Sequence, residues 1–148
     1  MADDAIAARL QRVEDLLEIH QLFVDYGMHL DAGRFDDFAG LFALEGEMSL
    51  GPLGKARGRT AIAETMAASL APHLGKTFHV ISNPMVDLDG DAATSEVMWT
   101  MIQTGKDGRP EVAMLGRHVD QLIREDGRWK ILKRKGLINV PNTYPAGG

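Results

Sequence analysis

The chain has 148 residues, 45% of them hydrophobic, and carries a formal net charge of -5. A chain of this length matches one domain and can bury about two-thirds of the surface that its unfolded form exposes, so we expect residues 1–148 to form a single domain. It contains no cysteine, which excludes disulfides, thiolate nucleophiles and cysteine-rich zinc sites, and its acidic balance argues against a nucleic-acid-binding surface.

The sequence offers no export signal and no apolar run long enough to span a membrane. We therefore expect a cytoplasmic protein without membrane association. One dense basic cluster is present, formed by Lys130, Lys133, Arg134 and Lys135. It is interspersed with apolar residues in a strand-like run, so we interpret it as a solvated strand face.

The longest helical pattern covers residues 6–31 and ends at Gly33. Two apolar stripes follow it at helical spacing and together predict a wide buried face. The first stripe is Val13, Leu17, His20, Val24 and Gly27, and the second is Leu16, Ile19, Phe23, Tyr26 and Leu30. Continuing the first stripe by four residues reaches Asp31, a carboxylate at a position that the pattern predicts to be buried. Such a break in the pattern marks either function or a structural brace.

The remaining elements predict helices followed by a sheet. We expect a second helix at 34–43, a short strand at 45–50, a turn at 51–54 and a third helix at 60–70. Runs rich in β-branched and aromatic residues then predict strands at 77–88, 92–104, 111–124 and 128–140. Short turns between them indicate an antiparallel meander. The class is α+β, with the helices against one face of a curved sheet and a cavity between them.

His79 is the histidine best suited to chemistry, because it lies within a strand and shares a face with Ile81 and Asn83. A strand histidine beside an apolar cavity can remove a proton near neutral pH, and a carboxylate on its other ring nitrogen would fix the tautomer. Asp31 is the candidate carboxylate, and Tyr26 could direct its hydroxyl into the same cavity. The competing interpretation is a packed histidine and a buried tyrosine with structural roles.

No metal or cofactor site is predicted. The chain has no His-Glu-x-x-His pair, and the glycine-rich residues 51–58 lack the Gly-Lys-Ser/Thr ending of a phosphate loop.

The order and spacing of several motifs resemble a known family. These motifs are Leu-Asp-Ala-Gly-Arg-Phe-Asp at 30–36, Gly-Arg-Thr-Ala-Ile at 58–62, Phe-His-Val-Ile-Ser-Asn at 78–83, Gly-Arg-His-Val-Asp at 116–120 and Asp-Gly-Arg-Trp-Lys-Ile at 126–131. Together they resemble the SnoaL-like branch of the nuclear transport factor 2-like superfamily, which includes scytalone dehydratase, bile-acid dehydratase and hexachlorocyclohexane dehydrochlorinase.

The resemblance implies a cone-shaped curved antiparallel sheet with N-terminal helices closing a pocket. It also implies an Asp31–His79 pair as the catalytic residues, with Tyr26 assisting. In the common Gly-Arg-Tyr-x-Asp motif of the branch, His118 replaces the tyrosine. We assign His118 to substrate binding together with Trp99 and Met101 as an apolar wall. Arg117 either binds an anionic or carbonyl oxygen or forms a structural ion pair.

These features favour a cofactor-independent lyase, a dehydratase or related enzyme, acting on a small cyclic or polycyclic apolar substrate. One alternative is an isomerase or cyclase that uses the same base. Another is a non-catalytic ligand-binding or assembly domain in which the Asp31–His79 pair is structural. Val119, Ile123 and Leu132 suggest subunit contact, and the resemblance implies a homo-oligomer, a trimer in preference to a dimer.

Overall fold

The chain begins with two helices and ends with four long strands in a computed structural model that describes residues 1–141. A long helix α1 (Ala2–Asp31) precedes a short helix α2 (Phe35–Ala39), and a helix α3 (Arg59–Leu70) separates the first two strands from the rest. The strands are β1 (Phe42–Ser49), β2 (Lys55–Arg57), β3 (Thr77–Asp89), β4 (Ala92–Thr104), β5 (Pro110–Glu125) and β6 (Arg128–Val140). Within residues 1–141, none of the helices is long and apolar enough to cross a membrane.

All six strands form one sheet in the order β2-β1-β6-β5-β4-β3. The meander from β3 to β6 is antiparallel, which confirms the predicted pairing. β1, however, pairs with β6 in parallel, so the sheet is mixed and not wholly antiparallel as expected. A tight turn forces its two strands to be antiparallel, whereas β1 and β6 are joined through the rest of the chain and are free of that constraint. The α+β class is confirmed.

Two local predictions differ from the structure. The second helix ends at Ala39, before Gly40, and Phe42 and Ala43, predicted as its last residues, begin β1 instead. The three-residue strand β2 was not predicted, because Lys55–Arg57 is too short to show a period-two pattern.

Helix α1 buries one of its two predicted stripes. Ile19, Phe23, Tyr26 and Leu30 lie in the core at 3% exposure or less. The prediction that the first stripe is buried is wrong. Val13, Leu17 and Val24 are 52–63% exposed, and His20 is also exposed. Only its member Gly27 is buried. The sheet lies against one side of α1 only, so the first stripe faces outward.

The interpretation of the basic cluster as a solvated strand face is also partly wrong, because Arg134 is 2% exposed. Register places Gln121 opposite Lys133 and Leu122 opposite Ile131, so Leu132 is an extra residue that forms a bulge. A bulge reverses the inward and outward alternation beyond it, which turns Arg134 toward the core and leaves Lys133 outside.

The buried Arg134 is paired with a buried carboxylate on β5. Its Nε and Nη2 donate to Asp120 at 2.6 and 2.7 Å, and Ser95 Oγ donates to the same carboxylate at 3.0 Å. Asp120 holds the pKa of Arg134 above its usual value even though burial acts in the opposite direction.

We expect Arg134→Met to destabilise the protein by about 3–5 kcal/mol, because it leaves the Asp120 carboxylate buried without its counter-ion. The double variant Arg134→Met/Asp120→Leu should recover most of that loss, since neither charge remains. Urea unfolding monitored by circular dichroism measures both. A double variant no more stable than Arg134→Met would contradict the assignment of the loss to the unpaired charge.

Candidate active site

Asp31 and His79 form a two-point contact between the end of α1 and the start of β3. The Asp31 Oδ1 atom lies 2.7 Å from His79 Nδ1, and Oδ2 accepts the His79 backbone N–H at 3.0 Å. Because an ionised carboxylate only accepts hydrogen bonds, this contact places the proton of the neutral ring on Nδ1 and leaves the lone pair on Nε2. The two side chains are 12% and 17% exposed, so they are reachable but largely shielded from water.

Gly27 allows α1 to approach β3 closely enough for this contact. A Cβ atom at Gly27 would lie 3.1 Å from Ile81 Cγ1 and 3.7 Å from the His79 carbonyl oxygen. Asp31 follows Gly27 by about one helical turn and therefore faces the same strand.

A groove of about 330 Å³ lies between α1 and β3 and contains both residues. Its lining is mostly apolar and comprises His20, Phe23, Val24, Gly27, Met28, Asp31, Phe78, His79, Ile81, Ser82, Pro84 and Val97. This volume is at the lower end for ligand pockets, so the groove suits a small ligand.

Met101 and Trp99 lie on the same sheet face as the histidine, in the neighbouring strand. Met101 is directly opposite His79 in the β3–β4 pairing, and Trp99 is opposite Ile81. Neither residue lines the groove, although both were expected to form its apolar wall. Trp99 stacks on His118, with ring centroids 5.9 Å apart, and its buried Nε1 atom has no hydrogen-bond partner among the described residues.

Tyr26 and His118 lie deeper, away from the groove lining. The Tyr26 ring is 2% exposed, 5.1 Å from the His118 ring and 4.2 Å from the Arg134 guanidinium carbon. Tyr26 is therefore not brought to the groove, because it projects from α1 on a different side from Asp31. Burial raises the pKa of Tyr26, an effect that Arg134 opposes.

Burial lowers the pKa of His118 well below its usual value, and the neighbouring Arg134 and His79 act in the same direction. His118 is therefore an uncharged ring near neutral pH.

Arg117 projects to the other face of the sheet. Its Nη1 donates to Glu96 at 2.9 Å, and both side chains are well exposed. The structure thus matches the ion-pair alternative for Arg117 and contradicts its assignment to the pocket, since alternate residues of β5 point to opposite faces.

A larger depression of about 960 Å³ occupies the outer face of the sheet and includes Glu47, Arg57, Lys133 and Lys135. Its charged side chains are solvated or paired with each other, as Arg57 is with Glu47 at 3.7 Å. It contains neither member of the Asp31–His79 pair, so we take the smaller groove as the candidate site. Within residues 1–141, no group of three His, Cys, Asp or Glu side chains could hold a metal ion.

Residues 11–135 match the model of the SnoaL-like domain. The chain belongs to this family. Rv2910c of Mycobacterium tuberculosis, an uncharacterized protein, is 29% identical over 123 residues, which cover 82% of this chain and 84% of the relative.

Solved structures share the fold of this SnoaL-like protein. A nuclear transport factor 2-like protein with a cystatin-like fold from Novosphingobium aromaticivorans is 24% identical, covers 90% of this chain and 88% of its own, and has a TM-score of 0.85. A candidate scytalone dehydratase from the same organism is 25% identical over 86% of each chain, with a TM-score of 0.75. LinA is 18% identical, with 88% and 90% coverage and a TM-score of 0.79. The domain match confirms the expected family, and these structures confirm the expected fold.

Three features of the site were missed from sequence. Phe78 and Pro84 line the groove because β3 is at the edge of the sheet and has a bulge between Ser82 and Met85. The close approach at Gly27 has a sequence signal, a glycine on the apolar face of a helix one turn before the carboxylate. The bulge in β3 has a weaker sequence signal, the Asn83-Pro84 pair, in which Asn83 has a φ of 51°.

We expect Gly27→Val to separate α1 from β3, break the Asp31–His79 contact and lower stability by about 1–3 kcal/mol through overpacking. Nitrogen NMR of the His79 ring should show loss of the Nδ1–H tautomer. Adding Ile81→Ala removes the atom that the new side chain meets, so the double variant should restore the tautomer. A Gly27→Val protein with an unchanged His79 signal would contradict the proposed role of the glycine.

His118 should make stability depend on pH. The unfolded chain protonates this ring at about pH 6.5, whereas the native protein does not, so unfolding takes up a proton and stability falls as the pH drops below that value. We expect His118→Phe to reduce this slope by up to about 1.4 kcal/mol per pH unit, measured by denaturant unfolding from about pH 5 to pH 7.

The control is Leu122→Ala, a core change without a titratable group, which should lower the whole curve and keep its slope. An unaltered slope in His118→Phe would contradict the buried, neutral state of this ring.

Proposed function

We propose that this SnoaL-like protein is a cofactor-independent lyase that eliminates a group from a small cyclic, largely apolar substrate. The observation that carries the proposal is the 2.7 Å contact between Asp31 and His79 Nδ1 inside an apolar groove. The 25% identity to a candidate scytalone dehydratase supports the same reaction class.

In this mechanism, His79 Nε2 removes a proton from a substrate carbon that is acidified by a neighbouring carbonyl group. The electron pair of the broken C–H bond forms a C=C bond as the leaving group departs with the pair of its own bond. Asp31 keeps the ring oriented and stabilises the imidazolium that forms. General-base catalysis of this kind contributes about a hundred- to ten-thousand-fold, and the apolar groove adds positioning.

One observation favours an isomerase as the second candidate. Apart from the Asp31–His79 pair, the polar side chains lining the groove are His20 and Ser82, and Tyr26 is not among them. With few groups to protonate a leaving group, the proton on His79 Nε2 could return to a different carbon of the same substrate. An elimination at this site therefore suits a leaving group that departs as a stable anion or accepts from His79 the proton that His79 removed from the substrate carbon.

We expect deuterium from solvent to enter carbon-acid substrates at this site. The measurement is mass spectrometry of a panel of cyclic ketones, hydroxylated steroids and chlorinated rings after incubation in D₂O. Loss of a group indicates the lyase, and deuterium gain without loss indicates the isomerase. Asp31→Asn should lower the rate by about a hundred- to ten-thousand-fold, because an amide that donates to Nδ1 forces the proton onto Nε2 and removes the base.

His79→Ala should abolish exchange, and His73→Ala is the matched control, since His73 is exposed and outside the groove. Full activity in both His79→Ala and Asp31→Asn would contradict the proposal. Binding of panel members without turnover, with loss of stability in both variants, would identify a binding domain in which the pair is structural.

A further inference from the structure

The first half of α1 extends beyond the rest of the described chain. Residues 1–14 are all exposed, and the first buried residue is Asp15. There the helix is anchored to the β5–β6 hairpin, because Arg124 Nη2 and Trp129 Nε1 donate to Asp15 Oδ1 at 2.7 and 3.1 Å. At the rise of an α-helix, the free arm is about 21 Å long.

A regularly spaced apolar stripe runs along the free arm and continues to Val24, and we name it the α1 seam. Its members follow one another at alternating steps of four and three residues and are Ile6, Leu10, Val13, Leu17, His20 and Val24. The five apolar members are 52–63% exposed. Alternating steps of three and four are the repeat by which one helix packs along another. The seam of a second copy has the same spacing, so two α1 seams can interlock along their length.

We propose that the α1 seam packs against the same seam of a second copy of this chain, with the two helices antiparallel. Leu10 then lies beside the partner's Val13, and Ile6 lies beside the partner's Leu17. Each contact occurs twice, because the arrangement is two-fold symmetric.

Asp3 favours the antiparallel orientation, because that orientation avoids a contact between two like charges. Asp3 is seven residues before Leu10 and His20 is seven residues after Val13, so Asp3 meets the partner's His20 in this register. A parallel pair would instead place Asp3 against the partner's Asp3 and His20 against the partner's His20. The one favourable charge contact of the parallel pair would be an ion pair between Arg9 and the partner's Glu14 at the solvated rim, where ion pairs contribute little to stability.

The antiparallel orientation also separates the two bodies. Each sheet lies on the side of its own α1 that carries Ile19 and Tyr26, and the seam approaches it only at His20 and Val24, which line the groove. The N-terminal halves of the two α1 helices therefore overlap, and the two sheets lie at opposite ends of the assembly. The first turn of the partner's helix reaches His20, which lines the groove of the candidate site. The partner's Asp3 thus belongs to the rim of that groove.

A two-fold contact makes even-numbered assemblies. Through the seam alone the protein is a dimer; combined with the trimer expected from the resemblance it is a hexamer. In either case Leu10→Glu should halve the mass measured by light scattering after size exclusion, because it places a carboxylate in the central layers. Ala8→Glu is the matched control, an exposed change on the other side of the same helix, and should keep the mass.

Crosslinking tests the orientation, since the chain has no cysteine of its own. Ile6→Cys and Leu17→Cys chains, mixed and oxidised, should form a disulfide with each other. Ile6→Cys alone should not, because its two copies lie about 16 Å apart along the helices, beyond disulfide reach.

A wild-type protein that is monomeric or trimeric would overturn the proposal, as would an unchanged mass in Leu10→Glu. The monomer would assign the seam to a different partner. Rapid crosslinking of Ile6→Cys with itself would overturn the antiparallel orientation.

Discussion

The double hydrogen bond from His79 to Asp31 is the contact on which both the architecture and the candidate chemistry depend. β3 is an edge strand, and its outward backbone groups have no neighbouring strand to pair with. Asp31 satisfies one of them, the His79 N–H, and thereby fixes the strand to α1. The same carboxylate orients the imidazole, so the strength of the helix–strand contact and the geometry of the base cannot be varied independently.

The interior holds a second polar system with a different physical character. Arg134 and Asp120 form a buried pair joined by two hydrogen bonds beneath Tyr26, and His118 lies next to it as a neutral ring. A cation at this depth disfavours further positive charge nearby, because the surroundings screen it weakly. The proton exchange proposed above is therefore assigned to the groove between α1 and β3, and the interior pair acts on the packing of the sheet.

Helix α1 serves two surfaces at once. One stripe closes the core over the sheet, while Val13 and Leu17 of the other stripe have the same apolar spacing and remain exposed. Apolar residues repeated along an exposed helix are a cost in water unless another surface covers them. This explains why the sequence pattern alone suggested one wide buried face: periodicity reports which residues are apolar, not which body covers them.

The sequence by itself determined the elements that local chemistry controls. The periodic helices, the four long strands with their turn residues and the α+β class followed from patterns in the chain, whereas the pairing of Asp31 with His79 was implied by the resemblance to the SnoaL-like family. Tertiary structure decided what depends on register and on contact between distant residues. A single bulged residue in β6 reversed the alternation and buried Arg134, and the side of α1 that met the sheet took Tyr26 into the interior and left Leu17 outside. Such outcomes depend on one-residue shifts in pairing, which change every inward-facing position while leaving the local pattern almost unaltered.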